Sequence, residues 1–151
     1  MSELDDLYQE VLLEHAKSVS RRYKPAGPCS CAQGFNPLCG DEVAFYCARE
    51  GRLVREASFE GQGCAISQAS ASMAAQAAQG LSTEEALAEL ECALAWVKGE
   101  SSQEPKMEDW AALGGVSKFP MRVKCATMPI RAALESLKSP QGAVVEVGDE
   151  S

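Results

Sequence analysis

The sequence has little of several features on which common functions depend. It contains one histidine, His15, so a metal site built from several imidazoles is excluded and a Ser-His-Asp hydrolase would have to use that residue. Acidic residues outnumber basic ones by 22 to 14, and no stripe of Lys and Arg is present. Because nucleic-acid affinity rests on cationic contacts to phosphate, we do not expect a nucleic-acid partner.

Signals for secretion and membrane insertion are also missing. The first fifteen residues carry five acidic side chains, and no apolar run approaches the length of a membrane span. We therefore expect a cytoplasmic protein with no membrane partner.

Seven cysteines in 151 residues are too few for a disulfide-built scaffold, in which roughly 8–10% of residues are cysteine. A chain of this length usually forms one domain and buries enough surface to fold without disulfides. A reducing compartment keeps thiols free. We therefore treat residues 1–151 as one domain whose cysteines are available for metal or sulfur chemistry.

Two familiar motifs are incomplete. Gly61-Gln62-Gly63 has Ile66 where a dinucleotide fingerprint needs its third glycine, and no GK[ST] follows it. Cys29 and Cys31 are separated by one residue, so the Cys-x-x-Cys redox motif is absent. Nucleotide binding and thioredoxin-like chemistry are both disfavoured.

The N-terminal half predicts one helix and a hairpin. Leu4, Leu7, Val11 and His15 recur at helical spacing, which predicts a helix over residues 3–17, followed by a long loop over 18–38. From residue 41 the apolar period changes to two, and two such runs flank Glu50-Gly51, which is typical of a β-hairpin. In the second run Leu53, Ala57 and Phe59 are predicted to share a face, which Arg55 interrupts.

The C-terminal half predicts helices. An Ala- and Ser-rich helix is expected from residue 64 to a stop at Gly80, and Ser82 with Glu85 forms a capping box before the next helix. A surface excursion is expected over 98–119, a last helix from Pro120 with Pro129 inside it, and a mobile acidic tail over 140–151. The fold class is therefore α+β, a small antiparallel sheet of about three strands packed against several helices.

Three cysteines and one aspartate lie at the ends of predicted elements, namely Cys39, Asp41, Cys64 and Cys125. Three thiolates and a carboxylate would complete a tetrahedral zinc shell. Twenty-two residues lie between Asp41 and Cys64, and sixty between Cys64 and Cys125, so only the tertiary structure can assemble such a site. The alternative is that each cysteine is a small buried hydrophobic residue, the commonest fate of a free thiol.

At these positions the sequence resembles the IscU-like iron-sulfur cluster assembly proteins, and within them the SufU-type branch. The resemblance covers residues 4–138 and rests on four motifs: Tyr8-Gln9-Glu10-Val11 with His15, Asn36-Pro37-Leu38-Cys39-Gly40-Asp41, the run from Gly61-Gln62-Gly63-Cys64 to Met73, and Arg122-Val123-Lys124-Cys125-Ala126-Thr127. Lys124 replaces the histidine that precedes the third cysteine in IscU-type scaffolds, and their Leu-Pro-Pro-Val-Lys chaperone motif is absent. The 98–119 excursion matches an insertion of the SufU-like proteins.

The resemblance implies a function and a set of site residues. Zinc would be bound by Cys39, Asp41, Cys64 and Cys125, and Cys39 would accept persulfide sulfur from a SufS-type cysteine desulfurase for downstream iron-sulfur assembly. Whether this makes the chain an enzyme, a zinc-dependent sulfurtransferase, stays open. The alternatives are a scaffold that builds a transient iron-sulfur cluster on the same residues and a structural zinc domain.

The residues themselves support several further expectations. Arg122 and Lys124 would compensate the negative charge of a zinc ion held by three thiolates and a carboxylate, unless they are ordinary solvated charges. Cys39 is expected at the edge of a mobile loop, which would make it the ligand most easily released, and the hard ligand Asp41 should make the shell labile.

The remaining candidates lie outside the proposed shell. His15 is expected to be a satisfied core histidine, and Met107, Trp110 and Leu113 to anchor the excursion or form a docking patch. Cys47 should lie in the core and Cys92 should contribute to helix packing, while Cys29 and Cys31 are either incidental loop thiols or residues that relay sulfur or capture metal.

Overall fold

The computed structural model describes the backbone of residues 3–147 and the side chains of residues 6–147. In chain order the elements are α1 (Glu3–Lys17), β1 (Ser30–Asn36), β2 (Asp41–Glu50), β3 (Leu53–Gln62), α2 (Ala65–Ala78), α3 (Thr83–Val97), α4 (Pro120–Lys138) and β4 (Val144–Glu146), with 3-10 helices at Glu108–Leu113 and Val116–Lys118. The α+β class is confirmed. None of the described helices is long and apolar enough to cross a membrane.

The sheet has four strands in the order β3-β2-β1-β4. Strands β1, β2 and β3 are antiparallel, and β4 adds to β1 in parallel. Helices α2 and α4 pack on the sheet, and the shared core is formed by buried strand side chains such as Val43, Phe45 and Phe59 against Met73 and Ile130 of the helices. Helix α1 then packs against α2, and α3 packs against both α2 and α4.

The expectation of an unbroken loop over 18–38 is wrong for its last part, where β1 forms. Most positions of β1 that are buried hold small or polar residues, namely Ser30, Ala32, Gly34 and Asn36, so the strand carries no alternating apolar signal. The small residues are needed because α4 lies close: a side chain at Gly34 would place its Cβ 3.0 Å from Met128 Cγ. Close packing of a helix, rather than bulk hydrophobicity, defines this strand.

The tail, expected to be mobile over 140–151, contributes the fourth strand. Val144–Glu146 pairs with Cys31–Gln33 of β1, and the Val147 N–H donates to the Gln33 carbonyl at 2.8 Å. An edge strand presents unpaired backbone groups, and three residues of tail are enough to satisfy part of that edge. Residues 148–151 of the predicted tail lie outside the described residues.

The hairpin of β2 and β3 is confirmed, but its register corrects one predicted face. Ala48 pairs with Glu56 and Arg49 with Val54, so Arg55 is the extra residue of a β-bulge. The bulge moves Val54, which is fully buried, onto the face of Ala57 and Phe59, and leaves Leu53 45% exposed. Arg55, which interrupts the predicted apolar face of the second strand, is therefore the residue without a partner in the β2–β3 pairing.

The ends of the helices agree closely with those predicted from the sequence. The capping box of Ser82 and Glu85 is present at the start of α3, and Gly80 follows α2 with a φ of 90°. Helix α4 begins at Pro120 and continues through Pro129, which is buried. His15 is buried, with Nδ1 2.8 Å from Ser72 Oγ and Nε2 2.7 Å from Asp109 Oδ2, as expected of a satisfied core histidine.

The surface segment over 98–119 packs against the core of the protein. Trp110 and Leu113 are fully buried, which confirms them as anchors, and Met107 is partly buried against the core. The buried carboxylate of Glu89 on α3 accepts the backbone N–H groups of Lys106 at 2.9 Å and Met107 at 2.8 Å. One carboxylate therefore fixes the point at which the excursion turns back to the core.

Replacement of that carboxylate should loosen the excursion. Glu89→Ala removes two charge-assisted hydrogen bonds and should lower the free energy of unfolding by about 2–4 kcal/mol, measured by urea denaturation. Glu91→Ala is the control, because Glu91 lies on the same helix in an exposed pair with Lys138 at 3.7 Å and should cost less than about 1 kcal/mol. Equal losses in the two variants would contradict the role given to Glu89.

Candidate metal centre

The first component of the site is the turn that joins β1 to β2. The Asn36 carbonyl accepts the N–H groups of Cys39 at 3.3 Å and Gly40 at 2.8 Å, and the Asn36 side-chain oxygen accepts the Leu38 N–H at 3.2 Å. Gly40 adopts a φ of 71°, a conformation that glycine tolerates best. Cys39 therefore lies exposed on a short hydrogen-bonded turn, not at the edge of a long mobile loop as expected.

The second component is Asp41, the first residue of β2. Its side chain is fully buried, and its Oδ1 accepts the backbone N–H of Cys64 at 2.9 Å. Its Oδ2 lies 3.9 Å from Cys64 Sγ. A buried carboxylate needs partners of this kind, because desolvation would otherwise make its charged form very costly.

Cys64 reaches the site because Gly63 lets the chain pass very close to Asp41. Gly63 has a φ of 156°, and a Cβ at this position would clash with Asp41 Oδ1 and lie 2.6 Å from Ser67 Oγ. Cys64 is the N-cap residue of α2 and is exposed.

Cys125 completes the group from α4. It is buried, its Sγ lies 3.4 Å from Cys39 Sγ, and the Asn36 amide nitrogen lies 3.9 Å from the same sulfur. The ligand atoms of Cys39, Asp41 and Cys125 all lie within 4.8 Å of one another, and Cys64 joins them through Asp41. The tertiary structure thus brings together all four residues that the sequence singled out.

The electrostatics of the group match a cation site. Burial raises the pKa of the Cys125 thiol, and hydrogen bonds with Asp41, Cys39 and Cys64 raise it further. Without a cation the protein therefore holds this thiol protonated, whereas a coordinated metal ion deprotonates a thiol outright. The Cys39 and Cys125 sulfurs and an Asp41 oxygen lie within 4.8 Å of one another, and Cys64 Sγ lies 3.9 Å from Asp41 Oδ2. Thiolates and a carboxylate are donors that zinc accepts.

The two basic residues expected near the site are exposed in the first turns of α4. The Arg122 guanidinium stacks over the Phe119 ring, 4.7 Å from its centroid. Lys124 is exposed and directly precedes Cys125. Their role in charge compensation stays a prediction.

The other four cysteines do not join the centre. Cys31 is near the opposite end of β1, five residue steps from Asn36, which corresponds to about 17 Å along an extended strand. The pair of Cys29 and Cys31 is therefore remote from Cys39 along the strand, and a role for it in relaying sulfur or capturing metal stays a prediction. Cys47 is in the core, where burial raises its pKa to about 11.

Cys92, expected to contribute to helix packing, is partly exposed on α3, with its thiol 3.6 Å from the Gln103 carbonyl. The role that sequence reasoning missed is that of Asn36. Its backbone and side chain shape the turn, and its amide faces Cys125. An Asn directly before Pro37 is a turn signal that could have indicated this role.

Comparisons with known proteins establish the family to which the chain belongs. The family model described as the NifU-like N-terminal domain matches residues 8–126. The chain belongs to the NifU-like N-terminal domain family. It is 36% identical over 140 residues to the zinc-dependent sulfurtransferase SufU of Bacillus subtilis strain 168, covering 92% of this chain and 95% of that relative. It is 35% identical to the iron-sulfur cluster assembly scaffold protein IscU of Thermotoga maritima, covering 87% and 93%.

Solved structures show the same fold. A putative iron-sulfur cluster assembly scaffold protein for the SUF system from Fervidobacterium islandicum matches with a TM-score of 0.80 at 30% identity, covering 91% of this chain and 99% of that one. A NifU-like N-terminal protein from Brucella abortus matches with a TM-score of 0.77 at 24% identity, which supports the fold alone. The chain is thus a member of an iron-sulfur cluster assembly family, with a candidate metal site of Cys and Asp side chains.

The close approach at Gly63 can be tested by adding one methyl group. Gly63→Ala should push Asp41 away from Cys64, lower zinc affinity and reduce the free energy of unfolding by about 2–4 kcal/mol. Gly80→Ala is the matched control, because Gly80 also has a positive φ but a methyl group added there would meet no atom within 4 Å. It should cost about 1 kcal/mol and leave zinc binding intact, as measured by chelator competition and urea denaturation.

Proposed function

We propose that this protein is a zinc-dependent sulfur acceptor that takes persulfide sulfur from a SufS-type cysteine desulfurase and passes it to iron-sulfur cluster assembly. The observation that carries the proposal is the placement of an exposed thiol, Cys39, 3.4 Å from the buried Cys125 sulfur and beside the buried Asp41 carboxylate. A SufU relative that is named a zinc-dependent sulfurtransferase supports the same interpretation.

Cys39, Asp41, Cys64 and Cys125 are the residues that would hold zinc. When bound, zinc would keep the three thiols deprotonated and protect them from disulfide formation. The buried Asp41 carboxylate already has one oxygen committed to the Cys64 N–H, which leaves Oδ2 for the metal. Asp41 therefore acts both as a ligand and as the group that positions Cys64.

Burial and backbone anchoring separate the three thiols into different roles, because Cys39 and Cys64 are both exposed but only Cys64 is anchored at a helix start. Cys125 is buried, and Cys64 is held by its backbone hydrogen bond to Asp41 at the start of α2. Cys39 is exposed on the turn between Pro37 and Gly40, with no helix attached to it. A sulfur donor on another protein can reach Cys39 with the smallest change in this chain, so Cys39 is the proposed sulfur carrier.

The transfer step is an exchange between sulfurs. The Cys39 thiolate attacks the outer sulfur of the desulfurase persulfide, a new S–S bond forms on Cys39, and the persulfide bond of the desulfurase breaks. The desulfurase cysteine leaves as a thiolate and is restored for another turnover. Electrons and atoms balance without an added oxidant or reductant.

Arg122 and Lys124 are the proposed charge-compensating residues. A zinc ion with three thiolates and a carboxylate is an anionic centre, and both side chains lie in the first turns of the helix that carries Cys125. Persulfide sulfur is also anionic, so exposed cations at this rim would favour its approach. The stacking of Arg122 on Phe119 holds the guanidinium near the start of that helix.

A second candidate function is a scaffold on which a transient iron-sulfur cluster is built. It is favoured by the relatives of Thermotoga maritima and Streptococcus pyogenes, which are named scaffold proteins and are 35% and 34% identical. The same thiolates would then ligate cluster iron. Counting zinc, iron and sulfide in the purified protein separates the two functions.

The sulfur-acceptor function predicts a specific defect in Cys39→Ala. Zinc-loaded protein should raise the turnover of a SufS-type desulfurase and should acquire one labelled sulfur from labelled cysteine. Cys39→Ala should lose at least about 90% of the stimulation and of the labelling, because the turn carries no other exposed thiol that could accept sulfur. Cys92→Ala is the control, since Cys92 lies on α3 away from the centre.

Two results would contradict the proposal. One is full labelling of Cys39→Ala. The other is unsubstituted protein that leaves desulfurase turnover unchanged but takes up a visible-absorbing cluster with iron and sulfide, in which case the scaffold function holds.

Asp41 tests whether a hard ligand keeps the shell labile. Asp41→Asn retains a side-chain oxygen for the Cys64 N–H but removes the negative charge. We expect slower zinc loss to a chelator and slower sulfur acceptance than in the unsubstituted protein, because a shell dominated by soft thiolates exchanges less readily. Unchanged sulfur transfer at full zinc occupancy would show that Asp41 has no such role.

A further inference from the structure

A groove lies on the face of the sheet opposite the metal centre. It has a volume of about 640 Å³ and runs across the ends of all four strands that are nearest to the Cys39 turn. Its lining includes Phe35 and Pro37 of the β1–β2 connection. Phe35 is 58% exposed, and the neighbouring Leu38 is 60% exposed, so the two form apolar surface beside the groove.

The groove is strongly acidic. Glu42, Glu60 and Glu146 line it from three different strands, and its lining includes no Lys or Arg within the part of the chain that the structure describes. All three carboxylates are exposed. Tyr46 donates a hydrogen bond to Glu60 at 2.7 Å and so holds that carboxylate in place.

These carboxylates do not form a site for one metal ion. Over residues 6–147, the metal-type cluster whose ligand atoms lie within 4.8 Å of one another is that of Cys39, Asp41 and Cys125, and no trio of groove glutamates meets that distance. Three separated negative charges around an exposed aromatic ring are complementary to a partner surface that carries several cations and an apolar side chain. That is the surface of a protein partner.

The groove is continuous with the turn that carries Cys39. Pro37 lines the groove and precedes Cys39 by two residues, and Leu38 between them is 60% exposed. A protein that brings its own sulfur to Cys39 must cover this turn, and the rim of the groove is next to it. Partner contacts on both sides of the turn would hold Cys39 between them.

We propose that the groove is the docking site for a cationic segment of the cysteine desulfurase that delivers sulfur to Cys39. Lys or Arg side chains of that segment pair with Glu42, Glu60 and Glu146, and an apolar side chain packs on Phe35. This inference rests on the proposed function, because it names the partner that the sulfur-acceptor reaction requires. Charge pairs at such a rim act mainly on the association rate and its salt dependence.

The test neutralises the groove without changing its shape. The triple variant Glu42→Gln, Glu60→Gln, Glu146→Gln keeps an oxygen for the Tyr46 hydroxyl and leaves Cys39, Asp41, Cys64 and Cys125 intact. Association of the zinc-loaded protein with a SufS-type desulfurase is measured by surface-immobilised kinetics between low and high salt. We expect about tenfold slower association at low salt and a shallower salt dependence.

The matched control removes the same charge elsewhere. Glu84→Gln, Glu104→Gln, Glu135→Gln changes three exposed glutamates that do not line the groove. It should associate within about twofold of the unsubstituted protein, because these charges act on the approaching partner only through the overall charge of the molecule and not at the docking surface. Zinc content and urea denaturation of both variants establish that the fold and the centre are unchanged.

The outcomes separate this proposal from the proposed function. If the groove variant associates as fast as the control variant while the unsubstituted protein still stimulates the desulfurase, the docking site is overturned and the function stands. If the groove variant binds the desulfurase normally but delivers less sulfur to a downstream acceptor, the groove belongs to the acceptor and the proposal is overturned. If the unsubstituted protein neither binds nor stimulates a desulfurase, both fail.

Discussion

The candidate metal centre depends on one hydrogen bond, from the Cys64 backbone N–H to the buried Asp41 carboxylate. It joins the first residue of β2 to the N-cap of α2 and so sets the distance between the two elements that carry Asp41 and Cys64. The bond can form only because Gly63 has no side chain, since a Cβ there would occupy the space of the carboxylate oxygen. A single missing methyl group therefore permits the site.

Small side chains also allow the third element, α4, to approach the centre. Gly34 on β1 lets Met128 approach the sheet, and Ser30 donates its hydroxyl to the Ser136 carbonyl at 2.6 Å. Ser70 of α2 donates likewise to the Ala126 carbonyl at 2.5 Å, directly after Cys125. Small and hydroxyl-bearing residues thus hold α4 close to both the sheet and α2, and this closeness places Cys125 3.4 Å from Cys39.

The turn that carries Cys39 lies at the end of the two central strands of the sheet and borders both of its faces. On the helix-covered face the turn presents its thiol to a buried carboxylate and a second thiol, where burial and hydrogen bonding raise the pKa of Cys125 and so oppose its ionisation until a cation is present. On the opposite face the same turn borders an acidic groove with an exposed aromatic ring. One short segment, residues 36–40, therefore relates the chemistry of the centre to the surface that a partner would recognise.

Cys39, Asp41, Cys64 and Cys125 were singled out as one site by the resemblance to a known family, because their spacing alone left simple burial as an alternative. Short-range signals in the sequence were enough to predict the fold class, the main helices and the β2–β3 hairpin, because periodicity, capping residues and local motifs do not depend on distant contacts. They did not reveal β1 or β4: the buried positions of β1 are small or polar, and β4 exists only because the edge of β1 offers it backbone partners. Nor could they show that Arg55 is a bulge residue or that Cys39 lies on a tight turn. Those features depend on pairing between distant segments, and only the tertiary structure brings such segments together.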